Sequence, residues 1–539
     1  MLGAFDWLVL AAYFAAIAGI AWWAMRQRTE SSDDYFLAGR HVGWFVIGAS
    51  VFASNVGSEH VVGLAGAGAS SGLVLGHYEL HSWLLLLLGW VFVPFYMRSR
   101  VFTMPEFLEL RYGPASRWFL SITMLVGYVL TKISVTIYAG AVVFQVLMGI
   151  EFWTGALVIV LLTGAYTVLG GLRAVVYTEA LQAVVLIVAS ALVTVLGLIA
   201  IGGPGELMAA VGPERLNMFL PADHPDFPWT GMVFAPPIVG LWYWCTDQYI
   251  VQRVIAGRGE REARHGTIFA GYLKLLPFFI FLVPGLIALA LAQSGRLDLV
   301  EADQAFPALV AALLPTGVRG LVAGGLLAAL MSSLAAVFNS SSTIFTMDIY
   351  KTLRPDASER RLVHVGRIAT AALVVLGILW IPFLRGLSSE LYRYLQSVQA
   401  YIAPPIAAVF LLGVFWKRIN GAGAIAALTS GFALGMGRLV AELNKQGLAG
   451  PLRWYADVNF LHFAVLLFAV CIAILIAVSL ATRAPPAESI SGLTYGTTVA
   501  EDRARSRATW GTAEVVHSVV IVVLILAILV AFSPLGLAG

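Results

Sequence analysis

Residues 42–66 carry the sequence VGWFVIGASVFASNVGSEHVVGLAG, an apolar stretch long enough to cross a lipid bilayer but interrupted near its middle. The interruption, ASNVGSEH at residues 53–60, contains Asn, Gly and Ser, which weaken the continuity of a helix. Backbone groups freed from helical hydrogen bonds are tolerated at membrane depth only against protein or a water-filled cavity. The stretch therefore predicts a broken membrane helix that lines an internal site.

The rest of the chain also has the composition of a membrane protein. Of its 539 residues, 60% are hydrophobic and only 12% are charged, and the mean hydropathy is +0.86. Soluble globular domains carry about 25% charged residues, so lipid must accept the excess apolar surface. Runs of about 20 residues, enough to cross the hydrocarbon core, predict fourteen spans. They lie near residues 5–25, 42–66, 72–98, 118–148, 152–172, 180–202, 229–253, 268–293, 317–349, 364–385, 391–416, 421–441, 458–481 and 513–534, with a short interfacial helix at 303–314.

A second interruption lies in residues 229–253, where Pro236 and Pro237 are followed by a polar end at Asp247. Each interrupted span opens a set of five spans. Because five is odd, the second set crosses the membrane in the direction opposite to the first. Broken first helices in an inverted repeat are the strongest sequence indication of a transporter's central site.

The spans together predict one all-α integral membrane domain with an inverted five-helix repeat core. Its predicted parts are an extra N-terminal helix at 5–25, a first repeat at 42–202, a second repeat at 229–416 and extra C-terminal helices at 421–534, all within the single domain 1–539.

Basic residues orient the chain. The loops after odd-numbered spans hold 23 Lys and Arg residues, and the remaining loops hold 8. Cytoplasmic loops carry the excess of Lys and Arg, which places both predicted termini outside the cytoplasm. The Arg-rich and Ala-rich composition favours a bacterial inner membrane.

Ionisable side chains within predicted spans are candidates for function because a charge at bilayer depth is costly. Lys274 and Glu179 lie near a cytoplasmic edge, where either side chain has the alternative of snorkelling to the interface. Lys132 has the alternative of a buried ion pair. The full set is Glu59, Glu79, Lys132, Glu179, Asp247 and Lys274.

Two short patterns have candidate ligands for ions. Ser332-Ser333 offers hydroxyls that, with the carbonyls of an unwound helix, suit sodium; the alternative is a packing element or bonds to the preceding turn. His77 and His81 are spaced for a metal, but a third ligand is missing from their neighbourhood in the sequence, so a metal site is not expected.

Twelve short segments, in order, are typical of one transporter family. They are YFLAG (35–39), GAS (48–50), ASN (53–55), GLAG (63–66), TMPEF (103–107), TKIS (131–134), GGL (170–172), LWYWCTDQ (241–248), GYLKL (271–275), MSSL (331–334), FTMDIY (345–350) and FWKR (415–418). From about residue 33 to residue 420 the chain resembles the sodium/solute symporter family, and within it the sodium/glucose cotransporters. The resemblance implies an inverted-repeat symporter with alternating access around a midplane site.

The resemblance also implies roles for individual residues. It assigns a sodium site to the carbonyls of Ala53, Val56 and Ala329 and the hydroxyls of Ser332 and Ser333. It assigns sugar contacts to His60, Glu79, Tyr243, Trp244, Lys274 and Gln396, and further to Asn55 and Ser82. The chemistry agrees, because a pyranose offers hydroxyls to polar groups and an apolar face on which Tyr243 can stack as an inner gate.

The chain departs from the family pattern at three positions. Glu179 stands where the family usually has Asp, which leaves a possible second cation site and the stoichiometry open. Gly240 stands where sugar-transporting members carry a polar side chain, and Leu80 replaces an aromatic residue. Galactose and myo-inositol are therefore candidate solutes beside glucose.

The sequence thus predicts sodium-coupled symport of a monosaccharide or polyol. Alternatives are a proton-coupled or sodium-coupled symporter of another small solute such as myo-inositol, and a sugar-sensing ion channel on the same scaffold. An enzyme is not expected, because the sequence has no phosphate-binding loop and no nucleophile–base pair. The expected partners are sodium, a small sugar or polyol and the lipid bilayer, without nucleic acid.

Overall fold

The computed structural model describes residues 2–27, 31–57, 59–380 and 391–539, and within these ranges it is helical without β-strands. Ser58 and residues 381–385 of the predicted span 364–385 lie outside the described residues. A helix satisfies its backbone hydrogen bonds within its own segment, which is what a bilayer requires of a spanning structure.

Ten helical stretches among the described residues are long and apolar enough to cross a membrane. They are Ala4–Arg26, Gly76–Ser99, Phe152–Ile201, Glu260–Gln293, Val318–Leu353, Glu359–Leu379, Leu395–Phe415, Gly421–Leu443, Phe460–Ala481 and Thr512–Ala531. The prediction of a multi-pass membrane protein is confirmed, whereas the count of fourteen spans stays a prediction.

The long stretch Phe152–Ile201 falls on two predicted spans. Gly171 interrupts it with φ 56° and ψ −157°, a conformation that L side chains rarely adopt. A Cβ at this position would also overlap the Tyr35 carbonyl and ring, so glycine is required both for the turn and for the close approach.

Shorter helices account for the other predicted spans and for the loops. They include Trp44–Asn55, Ala65–Ser71, Met104–Tyr112, Pro114–Gly127, Ser134–Val143, Pro204–Val211, Trp229–Cys245, Gln248–Ile255, Ala305–Leu313, Gly450–Asp457 and Ala500–Arg507, with π-helical turns at Glu59–Leu64, Tyr128–Ile133 and Phe144–Met148. The helix Ala305–Leu313 lies where the short interfacial helix is predicted.

The first broken helix consists of Trp44–Asn55, a non-helical break at Val56 and Gly57, and the continuation Glu59–Leu64 and Ala65–Ser71. The break falls within the segment 53–60 that the sequence predicts.

The second broken helix consists of Trp229–Cys245 and Gln248–Ile255. The predicted interruption of the span 229–253 is confirmed, but it does not lie at Pro236 and Pro237, through which the helix is continuous. Proline is tolerated inside membrane helices when neighbouring elements satisfy the backbone groups it frees. The break lies at Thr246 and Asp247, and the Asp247 carboxylate caps the following helix by accepting from the Tyr249 N–H.

The centre of the molecule is the helix Val318–Ile344, hereafter the serine helix, which is buried along nearly its whole length. It packs along Phe152–Ile201 and against the first broken helix. Trp44–Asn55 also packs closely against Glu260–Leu273. The close approach requires glycine at residue 48, because a Cβ there would overlap the Phe269 ring and the Gly266 carbonyl. The breaks therefore lie in the protein interior rather than against lipid.

Candidate functional site

An oxygen cluster lies where the first broken helix ends against the serine helix. The Ser332 hydroxyl donates to the Ala53 carbonyl at 2.8 Å and to the Ala329 carbonyl at 3.0 Å. The Ser333 hydroxyl donates to the Ser54 carbonyl at 3.3 Å. All these residues are buried. The cluster offers only neutral carbonyl and hydroxyl oxygens, the ligands by which broken helices hold sodium in transporters.

Val56 is the first residue beyond the helix end, with φ −85° and ψ 87°. Its neighbour Gly57 passes so close to the serine helix that a Cβ there would overlap both the Ser333 hydroxyl and the Glu59 carboxylate. The break itself therefore sits beside the serine hydroxyls. The described residues hold no group of three or more His, Cys, Asp or Glu side chains that would suit a transition metal.

A small cavity lies between the two breaks. Its volume is about 50 Å³, and one buried water needs about 10–15 Å³ of such space, so it holds only a few water molecules. A monosaccharide fits only after the walls move. The walls are formed by Asn55, Glu59, His60, Tyr78, Glu79, His81, Val239, Gly240, Tyr243, Trp244, Lys274, Leu395, Gln396 and Gln399.

A buried ion pair forms one wall of the cavity. The Lys274 ammonium lies 2.5 Å from Glu79 Oε2, and His60 Nε2 lies 3.4 Å from Glu79 Oε1. His60 Nε2 also lies 3.2 Å from the Asn55 side-chain nitrogen. Lys274 and Glu79 are 3% and 1% exposed, so the interpretation that Lys274 snorkels to the interface is wrong. The pair thus places an ammonium donor and a carboxylate acceptor on the cavity wall.

Two aromatic rings continue the cavity wall, and a second ion pair packs against one of them. Tyr243 packs edge-on against Trp244 with ring centroids 4.9 Å apart. The Lys132 ammonium lies 4.6 Å from the Tyr243 ring centroid and 3.7 Å from the Tyr249 ring centroid. The ammonium is held by Asp247 Oδ2 at 2.7 Å. Lys132 thus has the buried carboxylate partner that the sequence left as an alternative, and cations over aromatic faces are attracted to them.

Glu179 is held in a different buried ion pair. Arg253 binds both of its oxygens, with Nη2 at 2.7 Å from Oε1 and Nε at 3.1 Å from Oε2. The Ser54 hydroxyl donates to Oε1 at 3.2 Å, and the Ser50 hydroxyl bonds Oε2. Both side chains are completely buried, so snorkelling of Glu179 is also wrong. A cation at Glu179 would have to displace Arg253, and a second cation site there stays a prediction.

The sequence model of the sodium:solute symporter family matches residues 35–431. The chain belongs to the sodium:solute symporter family.

Named relatives of the symporter are similar over most of their length. It is 38% identical over 526 residues to sodium/glucose cotransporter 1 of Oryctolagus cuniculus, covering 89% of this chain and 79% of that protein. It is 39% identical over 535 residues to sodium/myo-inositol cotransporter 2 of Mus musculus, covering 91% of this chain and 79% of that protein.

Solved structures show the fold of the symporter. A Na+-coupled sialic acid symporter in a substrate-bound outward-open state matches with a TM-score of 0.75 at 21% identity, covering 89% of this chain and 99% of that one. A nucleobase-cation-symport-1 family transporter in a closed conformation matches with a TM-score of 0.53 at 12% identity, covering 90% and 100%. The predicted inverted-repeat transporter fold is confirmed, whereas the repeat boundaries stay a prediction.

Most of the solute contacts expected in the symporter lie on the cavity wall. These are Asn55, His60, Glu79, Tyr243, Trp244, Lys274 and Gln396. Ser82 is buried but does not line the cavity, so the geometry gives its assignment no support.

Four polar wall residues of the symporter were not assigned a solute contact from the sequence, namely Glu59, Tyr78, His81 and Gln399. Tyr78 and His81 flank Glu79 closely, and Gln399 follows Gln396 by three residues, the spacing that places two side chains on one helix face. That spacing is the signal that would have found Gln399. Glu59 was noted only as an intramembrane charge.

Proposed function

We propose that this symporter couples the entry of sodium to the uptake of a neutral monosaccharide or polyol by alternating access. One observation carries the proposal: a single helix break serves both sites. Ala53, just before the break, belongs to the oxygen cluster on the serine helix, while Asn55 and His60, on either side of the break, line the cavity.

The chemistry of the cavity supports a neutral, hydroxyl-rich solute. The charges of Glu79 and Lys274 compensate each other at 2.5 Å, so the pair does not select a charged solute. A carboxylate accepts hydrogen bonds, an ammonium donates them, and the Asn and Gln amides do both. Tyr243 and Trp244 add apolar faces. Two relatives support the same solute class, because they are named as a sodium/glucose cotransporter and a sodium/myo-inositol cotransporter.

The proposal assigns residues to each function. Sodium would be held by Ala53, Val56, Ala329, Ser332 and Ser333. The solute would be held by Asn55, His60, Glu79, Tyr243, Trp244, Lys274 and Gln396. The repeats would span 42–202 and 229–416, in a bacterial inner membrane with both termini outside the cytoplasm.

Coupling follows from the shared break. Sodium bound between Ala53 and the two serines would hold the first broken helix against the serine helix and so fix Asn55 and His60 in the cavity. By linkage, the factor by which sodium raises solute affinity equals the factor by which the solute raises sodium affinity. Tyr243 would close the cavity on the side of Lys132 and open for release.

Uptake into proteoliposomes tests the proposal. Purified full-length protein is reconstituted, and labelled glucose, galactose and myo-inositol are offered under an inward sodium gradient, in choline, and in choline with an inward proton gradient. We expect accumulation of at least one solute with sodium alone. Equal accumulation in choline with a proton gradient would make Glu59, which lines the cavity, the candidate proton carrier and would refute sodium coupling. Sodium current without solute accumulation would favour the sensing channel.

A further inference from the structure

His81 lies at the cavity wall, in the turn between Gly76–Glu79 and the helix Ser82–Leu87. The residue is buried, with 5% of its surface exposed. The imidazole takes part neither in the hydrogen bonds described for the oxygen cluster nor in the Glu79–Lys274 contact. A polar ring in this position therefore needs an explanation of its own.

The imidazole fills the space that a side chain at residue 240 would need. A Cβ built on Gly240 would lie 2.7 Å from His81 Nδ1 and 3.0 Å from His81 Cε1, and it would overlap Leu84 Cδ1. Real Cβ atoms essentially never approach that closely. The His81 imidazole can therefore pack here only because residue 240 is glycine. The polar group at this part of the wall is this imidazole, which belongs to the stretch Gly76–Ser99 and not to the second broken helix.

One ring nitrogen of His81 is without a hydrogen-bond partner in the part of the chain that the structure describes. His81 Nε2 is buried and makes no hydrogen bond with any described residue. Burying a polar atom without a partner is costly, and the cost is recovered only when a partner arrives. His77, one helical turn earlier, differs: its Nε2 lies 3.0 Å from the Met218 carbonyl, which explains that residue structurally.

A second wall group is likewise unpartnered among the described residues. Gln396 Oε1 is buried without a hydrogen bond to any described residue. Gln396 lines the same cavity but lies on a different helix, Leu391–Phe415. Neutral imidazole offers one donor and one acceptor, and an amide oxygen offers an acceptor. A solute hydroxyl is both donor and acceptor and satisfies either group.

We propose that His81 is a solute-binding residue that sets specificity, with its imidazole bonding a hydroxyl on the side of the sugar or polyol that faces Gly240. The inference rests on the proposed function and adds a contact to the same site. It identifies the Gly240 side of the cavity as the place where solutes that differ by one hydroxyl are told apart.

The test uses proteoliposomes and the monodeoxy analogues of the solute that the wild type takes up best. His81→Leu removes both ring nitrogens, and His81→Asn keeps a hydrogen-bonding group. His77→Leu is the matched control, since that histidine lies outside the cavity lining. For the parent solute we expect His81→Leu to raise the half-saturation concentration about 2- to 10-fold, the range for one neutral hydrogen bond, with His81→Asn between it and wild type.

The decisive result is the pattern over the analogues. For one monodeoxy analogue, the one lacking the bonded hydroxyl, His81→Leu and wild type should have the same half-saturation. Sodium half-saturation without added solute, measured by thermal stabilisation, should stay at the wild-type value in both variants and shows that they are folded. Equal effects of His81→Leu on every analogue, or none on any, overturn the inference. A wild type that accumulates no sugar or polyol with sodium refutes the proposed function instead, and the inference with it.

Discussion

The carboxylate of Glu79 is the group whose removal should affect solute binding most. It lies 2.5 Å from the Lys274 ammonium and 3.4 Å from His60 Nε2, and both Glu79 and Lys274 are buried. Glu79→Gln preserves the shape of the side chain and removes its charge. The mutant leaves the ammonium without its anion and gives the solute hydroxyls a weaker acceptor.

Two magnitudes follow from this geometry. Loss of a charge-assisted hydrogen bond costs about 1.5–3 kcal/mol, which corresponds to a rise of about 10- to 150-fold in the solute half-saturation. Removing one partner of a buried ion pair costs about 3–5 kcal/mol of folding stability. The second cost arises from the charge on Lys274, so the double variant Glu79→Gln/Lys274→Met should recover most of the stability without recovering solute affinity.

Sodium-driven uptake and thermal unfolding separate the two effects. Solute half-saturation is measured at saturating sodium, and sodium binding is measured without solute through the sodium dependence of the unfolding temperature. Glu514→Gln is the matched control, because the Glu514 carboxylate also lies 2.7 Å from a ring nitrogen, His265 Nε2, but is outside the cavity. Sodium affinity should stay at the wild-type value in Glu79→Gln. Unchanged solute half-saturation in this variant, or equal loss in Glu514→Gln, would remove Glu79 from the solute site.

Three further predictions follow from the other groups of the site. Tyr243→Phe should keep uptake within about threefold of wild type, while Tyr243→Ala should lower it about tenfold or more, because the ring supplies stacking and closure; equal losses in the two variants would point to the hydroxyl. Ser332→Ala and Ser333→Ala should each raise the sodium half-saturation, and saturating sodium should restore solute affinity through linkage; wild-type sodium dependence in both would place the ion elsewhere. Glu179→Gln should destabilise the fold by about 3–5 kcal/mol by leaving Arg253 unpaired, with the sodium-to-solute ratio from reversal potentials unchanged. A lower ratio would instead support a second cation at Glu179.

The sequence by itself determined the class of the protein and the position of its first helix break. An apolar excess of this size admits only a lipid environment, and Asn, Gly and Ser in the middle of a span weaken a helix locally wherever the span packs. The helix accordingly ends at Asn55 and resumes at Glu59. Family resemblance added the wall residues, whose contribution to binding stays a prediction.

The prolines show where local rules were insufficient. Pro236 and Pro237 lower helix propensity strongly, yet the helix Trp229–Cys245 runs through them. The interruption falls at Asp247 instead, where a carboxylate both caps the next helix and binds Lys132. Tertiary contacts at Asp247 decided the position of the second break, because they supply the partners that free backbone and buried charge require.

Only the tertiary structure decided which buried charges pair. A charge at membrane depth needs a counter-charge, but several carboxylates and cations satisfy that rule equally well in the sequence. Packing of the helices selects Glu79 for Lys274 across 195 residues and Asp247 for Lys132 across 115 residues. It likewise brings His81 against Gly240. The interaction energy of two charges depends on their distance in space. For helices that are far apart in the chain, that distance is set by tertiary packing and cannot be read from the order of the residues.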